Sequence, residues 1–197
     1  MIKSYANKIT SFLYSNSYID NDKYKYDVYL YGFEILIASL VNMISVLIIG
    51  LLFNKFIYAV IFLVCYCPIR QFSGGYHAES YRKCYFTFMI IFLSTIFIVN
   101  NVSTIDLRLA IILFVILNWI NINILAPINH PNNPLTETEN SKYKKNCRII
   151  STIVIIFSIL SSQFKITYEC SIYSSLALFW INTMMVLAVI KNRSETI

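Results

Sequence analysis

Six apolar runs dominate the chain: Val28 to Phe53, Phe56 to Ile69, Cys84 to Val99, Leu107 to Ala126, Ile149 to Phe164 and Ile172 to Ile190. Each run is continuously apolar rather than alternating, which argues for helices and against a barrel. A helix crosses the hydrocarbon of a bilayer with about 20 such residues, at about 1.5 Å of rise per residue. The first, fourth and sixth runs meet that length; the second, third and fifth are short. Hydrophobic residues make up 57% of the 197, and charged residues 13%, against about a quarter charged in soluble domains. The expected fold class is all-α: a polytopic membrane bundle of about six transmembrane helices, multi-pass in the cell membrane. No separate soluble domain is expected.

Basic residues set the orientation. With six spans and an interior amino terminus, Lys55, Arg108 and Lys165 fall outside. The other 13 of the 16 Lys and Arg fall inside. That asymmetry follows the positive-inside rule. It also accounts for the net charge of +6 without any nucleic-acid partner; the bilayer is the partner. Residues 1–27 lack a short apolar core followed by a small-residue cleavage site, so no cleavable leader is expected. Ile2, Tyr5, Ile9, Phe12 and Leu13 instead recur at helical spacing with Lys3 and Lys8 between them. This predicts an interfacial amphipathic helix over 1–27, followed by an integral membrane domain over 28–197. A plain leader feeding the first span fits the same residues.

The stretch Gly74-Gly75-Tyr76-His77-Ala78-Glu79-Ser80-Tyr81-Arg82-Lys83-Cys84 interrupts the apolar pattern. Run two makes only about 21 Å of helix and run three about 24 Å. Both start or end at the outer surface, so their inner ends stop short of the cytoplasmic interface. Polar backbone at that depth requires surrounding protein or a water-filled cavity. Residues Arg70 to Lys83 are therefore expected in a recessed pocket facing the cytoplasm. Histidine titrates near neutrality, and a thiol ionised beside cations or a helix N-terminus is a strong nucleophile. His77 and Cys84 thus have the chemistry of a base and a nucleophile. On a straight helix they would sit about 10.5 Å apart along the axis, so a bend is needed, and Gly74-Gly75 allows one. One His and one Cys alone fit a polar turn between helices equally well.

The remaining polar residues carry less. Cys65 and Cys67 read as small hydrophobes in an apolar helix. The number of cysteines is odd, so no disulfide framework is implied. No metal site is expected, because His130 lies far away among prolines and no Cys-x-x-Cys exists. Glu34 and Arg108 are ionisable groups inside spans, near enough to helix ends to snorkel.

Arg70-x-x-x-Gly74-Gly75-Tyr76-His77 followed by Cys84 resembles the accessory gene regulator B (AgrB) family of membrane endopeptidases. Tyr31-Gly32-Phe33-Glu34 at the first span and Ala126 to Pro134 after the fourth add to the resemblance. The resemblance implies a cysteine endopeptidase of quorum sensing with no cofactor. Such an enzyme cleaves a small AgrD-type precursor peptide on its carboxyl side and promotes cyclisation of the signal as a thiolactone or lactone. Cys84 matches the nucleophile and His77 the base, while Arg70, Gly74 and Gly75 support the site. No third catalytic member is identifiable; Glu79 and Ser80 are candidates by proximity. A homodimer stays open on the sequence. The competing reading is a small peptide transporter or exporter without proteolytic activity, and a third is a membrane sensor or scaffold.

Overall fold

The computed structural model describes residues 2–16, 23–74, 81–102, 106–128 and 135–194. Among them are seven α-helices: α1 (Ile2–Ser15), α2 (Lys23–Leu52), α3 (Phe56–Ser73), α4 (Tyr81–Val102), α5 (Arg108–Leu125), α6 (Glu137–Gln163) and α7 (Tyr168–Ser194). A single 3-10 turn, Lys165–Thr167, joins α6 to α7. The six helices α2 to α7 are long and apolar enough to cross a membrane. The protein is a multi-pass, all-α membrane bundle, as its apolar runs require.

Short connections make consecutive spans alternate in direction, and cross-bundle contacts confirm the ends. At one end the Lys55 ammonium meets Glu169 at 2.6 Å, and the Leu107 amide donates to the Tyr168 hydroxyl at 2.8 Å. That end carries Lys55, Arg108 and Lys165. At the other, basic end, Phe72 packs edge-on against Tyr143 at 5.6 Å, and Arg148 Nε donates to Asn123 at 3.1 Å. The alternation segregates the cations as the sequence anticipates.

The helices outrun their apolar runs. α3 continues to Ser73, α4 begins at Tyr81, and α6 begins at Glu137. Arg, Gln, Lys and Tyr are adequate helix formers, so a polar residue ends the hydrophobic signal without ending the helix. The 18-residue α3 is about 27 Å long and the 22-residue α4 about 33 Å. The expectation that these helices stop short is therefore corrected: Arg70, Arg82 and Lys83 lie on helices. α6 starts at a capping box, in which Thr136 accepts from the Glu139 amide while the Glu139 carboxylate accepts from the Thr136 amide.

α7 is the most buried span and α2 the least. α7 packs against α3, α4, α5 and α6, whereas α2 touches α1, α3 and α4. Without a hydrophobic drive between helices in lipid, close approach and hydrogen bonds hold them. Buried Ser151, Ser158, Ser162, Ser171 and Ser174 let α6 and α7 come together, and Ser158 donates to the Ser171 carbonyl at 3.1 Å. Between α3 and α4 an aromatic cluster forms from Phe62, Tyr66, Phe88 and Phe92, with centroid separations of 5.2 to 6.4 Å.

α2 and α3 form a hairpin closed at Gly50, where an added Cβ would sit 2.6 Å from the Ala59 Cβ. Gly50→Ala should therefore cost about 1–3 kcal/mol by overpacking, seen as a lower midpoint of thermal unfolding in detergent. Adding Ala59→Gly should restore most of it. An unchanged midpoint in the single variant would refute the close approach.

Candidate functional site

Five chain segments converge at the basic end. α3 arrives carrying Arg70 in its last turn, and α4 departs carrying Cys84 in its first turn. α2 passes alongside with Glu34, α5 ends at Leu125, and α6 begins beyond it. Gly75, Tyr76, His77, Glu79 and Ser80 lie outside the described residues, as does His130. Their expected roles therefore rest on the sequence.

The end of α3 is built around Gly74. Its φ of 69° and ψ of −149° lie in a region almost confined to glycine. An added Cβ there would meet the Ile128 carbonyl oxygen at 2.4 Å, so space excludes a side chain as firmly as torsion does. Gly74 pairs with Ile128 in a parallel bridge, and the Ile128 amide donates to the Ser73 carbonyl at 2.9 Å. The Gly74 carbonyl accepts from Arg70 Nη1 and from the Ser73 hydroxyl at 3.2 Å. Helix-terminal carbonyls that would otherwise be orphaned are thereby satisfied. Arg70 thus acts structurally, closing the helix whose next residues lead to His77.

The segment after α5 supplies the other half of this junction. Ala126 is extended, at φ −79° and ψ 145°, as a residue before proline prefers. The Ala126–Pro127 bond is cis. From the sequence, Ala126 to Pro134 served only as a mark of resemblance. Its X-Pro start signals extended backbone, and extended backbone is what a bridge to Gly74 needs.

Cys84 differs from the other cysteines. Cys65 and Cys147 are buried, Cys67 and Cys170 intermediate, and Cys84 exposed. Spacing of four, seven and eleven residues puts Cys84 on the face of α4 shared by Phe88, Ile91 and Thr95, all of them buried. A helix N-terminus favours a thiolate, so the placement of Cys84 in the first turn of α4 is suited to nucleophilic attack on a carbonyl carbon.

Glu34 was expected to snorkel from a helix end. It is instead 9% exposed, well inside α2, and accepts a hydrogen bond of 2.8 Å from the Tyr81 hydroxyl. The reason is that α2 begins at Lys23, before the apolar run, so Glu34 has no nearby end to reach from.

The family described as Accessory gene regulator B matches residues 6–188. A protein of Clostridium perfringens strain SM101, named as AgrB-like, is 32% identical over 82% of this chain and 77% of its own length. A second, of C. perfringens strain 13 and named AgrB-like protein 2, is 30% identical over 74% of this chain and 71% of its own. No solved structure matches the chain.

Gly74→Ala should break the junction, at a cost of about 1–3 kcal/mol for the disallowed torsion. Hydrogen exchange should then speed up at the Ile128 amide and leave the middle of α7 unchanged. Unaltered protection at Ile128 would contradict the bridge.

Proposed function

Given that the chain belongs to the accessory gene regulator B family, we propose that it is a membrane-embedded cysteine endopeptidase that processes and cyclises a small precursor peptide of the AgrD type. The family is involved in processing accessory gene regulator peptides. The observation that carries the finer reading is the placement of Cys84: exposed, in the first turn of α4 and on a core-facing stripe.

In this reaction the Cys84 Sγ forms a bond to the carbonyl carbon of the scissile amide, and His77 accepts the thiol proton. The C–N bond then breaks, and His77 returns the proton to the leaving amine. The released tail departs, and the signal segment remains as a thioester on Cys84. A thiol or hydroxyl within the same peptide attacks that thioester, closing the ring and freeing Cys84. Gly74 and Gly75 shape the turn before His77, and Arg70 supports that turn.

The basic end faces the cytoplasm in this reading, by the positive-inside rule. The polar start of α6 extends from there with exposed Lys142, Lys144, Lys145 and Arg148, a surface suited to an acidic precursor tail. α1 exposes Tyr5, Ile9 and Phe12 while burying Ala6 and Thr10. That pattern supports a helix lying on the inner membrane surface, where an amphipathic precursor also arrives. Confinement to the same plane raises its effective concentration.

Cys84→Ala and His77→Ala should each abolish precursor cleavage while the protein still inserts. Cys65→Ala, Cys67→Ala and Cys147→Ala should keep most activity. Co-expression with the precursor and mass spectrometry of the products reads this out. Robust cleavage by Cys84→Ala would sink the mechanism outright, and absence of cleavage by the native protein would return it to the transporter reading.

Orientation is tested separately, in a background with the native cysteines replaced by alanine. An impermeant maleimide should label Lys165→Cys in intact cells and Lys144→Cys only after the membrane is opened. Labelling of Lys144→Cys in intact cells would place the site outside.

A further inference from the structure

The first turn of α4 is tethered to α2 on both sides of Cys84. Tyr81, three residues before it, donates to Glu34 at 2.8 Å, and Tyr85, one residue after it, donates to Ser45 at 3.2 Å. Glu34 and Ser45 are eleven residues apart on α2 and therefore share one face. The two tyrosines reach that face from α4, one towards each end. Beyond this turn α4 is held by packing: Phe88 against Phe62 and Tyr66, and Trp180 donating to Thr95 at 3.0 Å. The aromatic contacts fix the middle of the helix. Among the described residues, the tyrosine bonds tie its first turn to α2.

A carboxylate is a costly way to join two helices. Glu34 is 9% exposed, and its bond among described residues is to an uncharged phenol. Removing a charge from water costs more than one neutral donor returns, and an apolar pair would pack α2 on α4 without that cost. What the carboxylate adds is direction: a short, charge-assisted bond fixes the Tyr81 ring in one place. Tyr81 and Cys84 are neighbours at i and i+3 on the same surface of α4, so fixing one fixes the turn that presents the other.

We propose that Glu34 is a positioning residue for Cys84, acting through the hydroxyl of Tyr81. The proposal rests on the reading of Cys84 as the nucleophile. It makes the first turn of α4 a held element: Glu34 keeps the Cys84 Sγ at the helix N-terminus, an end that favours a thiolate. Loss of the bond frees the turn. Because Cys84 is already exposed, loosening adds little access and instead unravels the helix N-terminus that presents the thiol.

The test uses the full-length protein in native membranes and iodoacetamide as the probe. Alkylation rates at Cys84 and Cys170 are measured together by mass spectrometry. Cys170 sits at the opposite end of the bundle and reports global loosening. Tyr81→Phe and Glu34→Ala should each slow Cys84 alkylation by about tenfold, the size expected for a hydrogen bond to a charged group. The double variant should be no slower than either single one. Glu34→Gln, whose amide oxygen still accepts from Tyr81, should stay within about threefold of the native rate. The Cys170 rate should not move. Where cleavage of the precursor is measured, kcat should fall in the same order with KM unchanged. A native Cys84 rate in Tyr81→Phe or Glu34→Ala would overturn the proposal. So would Cys84 and Cys170 changing together, or Glu34→Gln behaving like Glu34→Ala. The expected alkylation pattern without cleavage by the native protein would sink the peptidase reading and leave the positioning role standing.

Discussion

Inside hydrocarbon a backbone amide or carbonyl has no water to bond, so every one must find its partner within the protein. That constraint makes six of the seven helices long and uninterrupted, and it decides where chemistry can sit. A reactive loop cannot be placed mid-membrane without a scaffold for its backbone. At the basic end the first residues off α3 are accounted for: the Ser73 carbonyl by Ile128, and the Gly74 carbonyl by Arg70 and Ser73. The helix ends at Gly74 because three things coincide there: the torsion, the space against Ile128, and the waiting donors. None of these would hold with a residue that carries a Cβ.

The core is fastened by a few polar contacts rather than by many. Trp119 bonds Thr152 between α5 and α6, Asn182 bonds Asn118 between α7 and α5, and Trp180 bonds Thr95 between α7 and α4. Each such bond in lipid contributes about 0.6–2 kcal/mol. They join neighbouring helices pairwise, two of the three through α7, and so fasten the centre of the bundle. The ends differ. At one, Lys55 and Glu169 close the structure with a salt bridge. At the other, backbone bridges and tyrosine tethers frame an exposed thiol. A fastened centre with a shaped end suits a site whose precision comes from packed membrane helices.

Much of this is legible in the residues themselves. Six apolar runs mark the six spans, because hydrophobicity and helix formation coincide in a membrane. Cys84 stands out by its polar neighbours, and its place at the start of a helix follows from the run that begins there. The helix ends are not legible from hydropathy, since Arg70, Tyr81 and Tyr143 stay helical after the oil stops. The capping box at Thr136 and Glu139 is readable in principle, yet it lies outside the apolar run that follows it. Glu34 and Ile128 escape for a different reason. Their roles depend on contacts 47 and 54 residues away in sequence, to Tyr81 and Gly74. Local patterns carry no record of such pairings.

The energetics of the proposed reaction fit a protein of this shape. Hydrolysis of the acyl-enzyme would turn an activated thioester into a stable acid and lose its free energy. Exchange of one thioester for another is nearly balanced, so a thiol-closed ring can form without a nucleotide, and the sequence has no phosphate-cradling glycine loop to bind one. Tethering the attacking group to the same peptide provides effective molarity that reaches about 10⁵ M in well-oriented cases, enough to compete with water. The unfavourable step is the first, because an amide is more stable than a thioester. Departure of the released tail must draw that step forward. A tail that leaves into bulk water is diluted there, while the acyl segment stays bound to Cys84, and that separation supplies the direction that the bond energies alone do not.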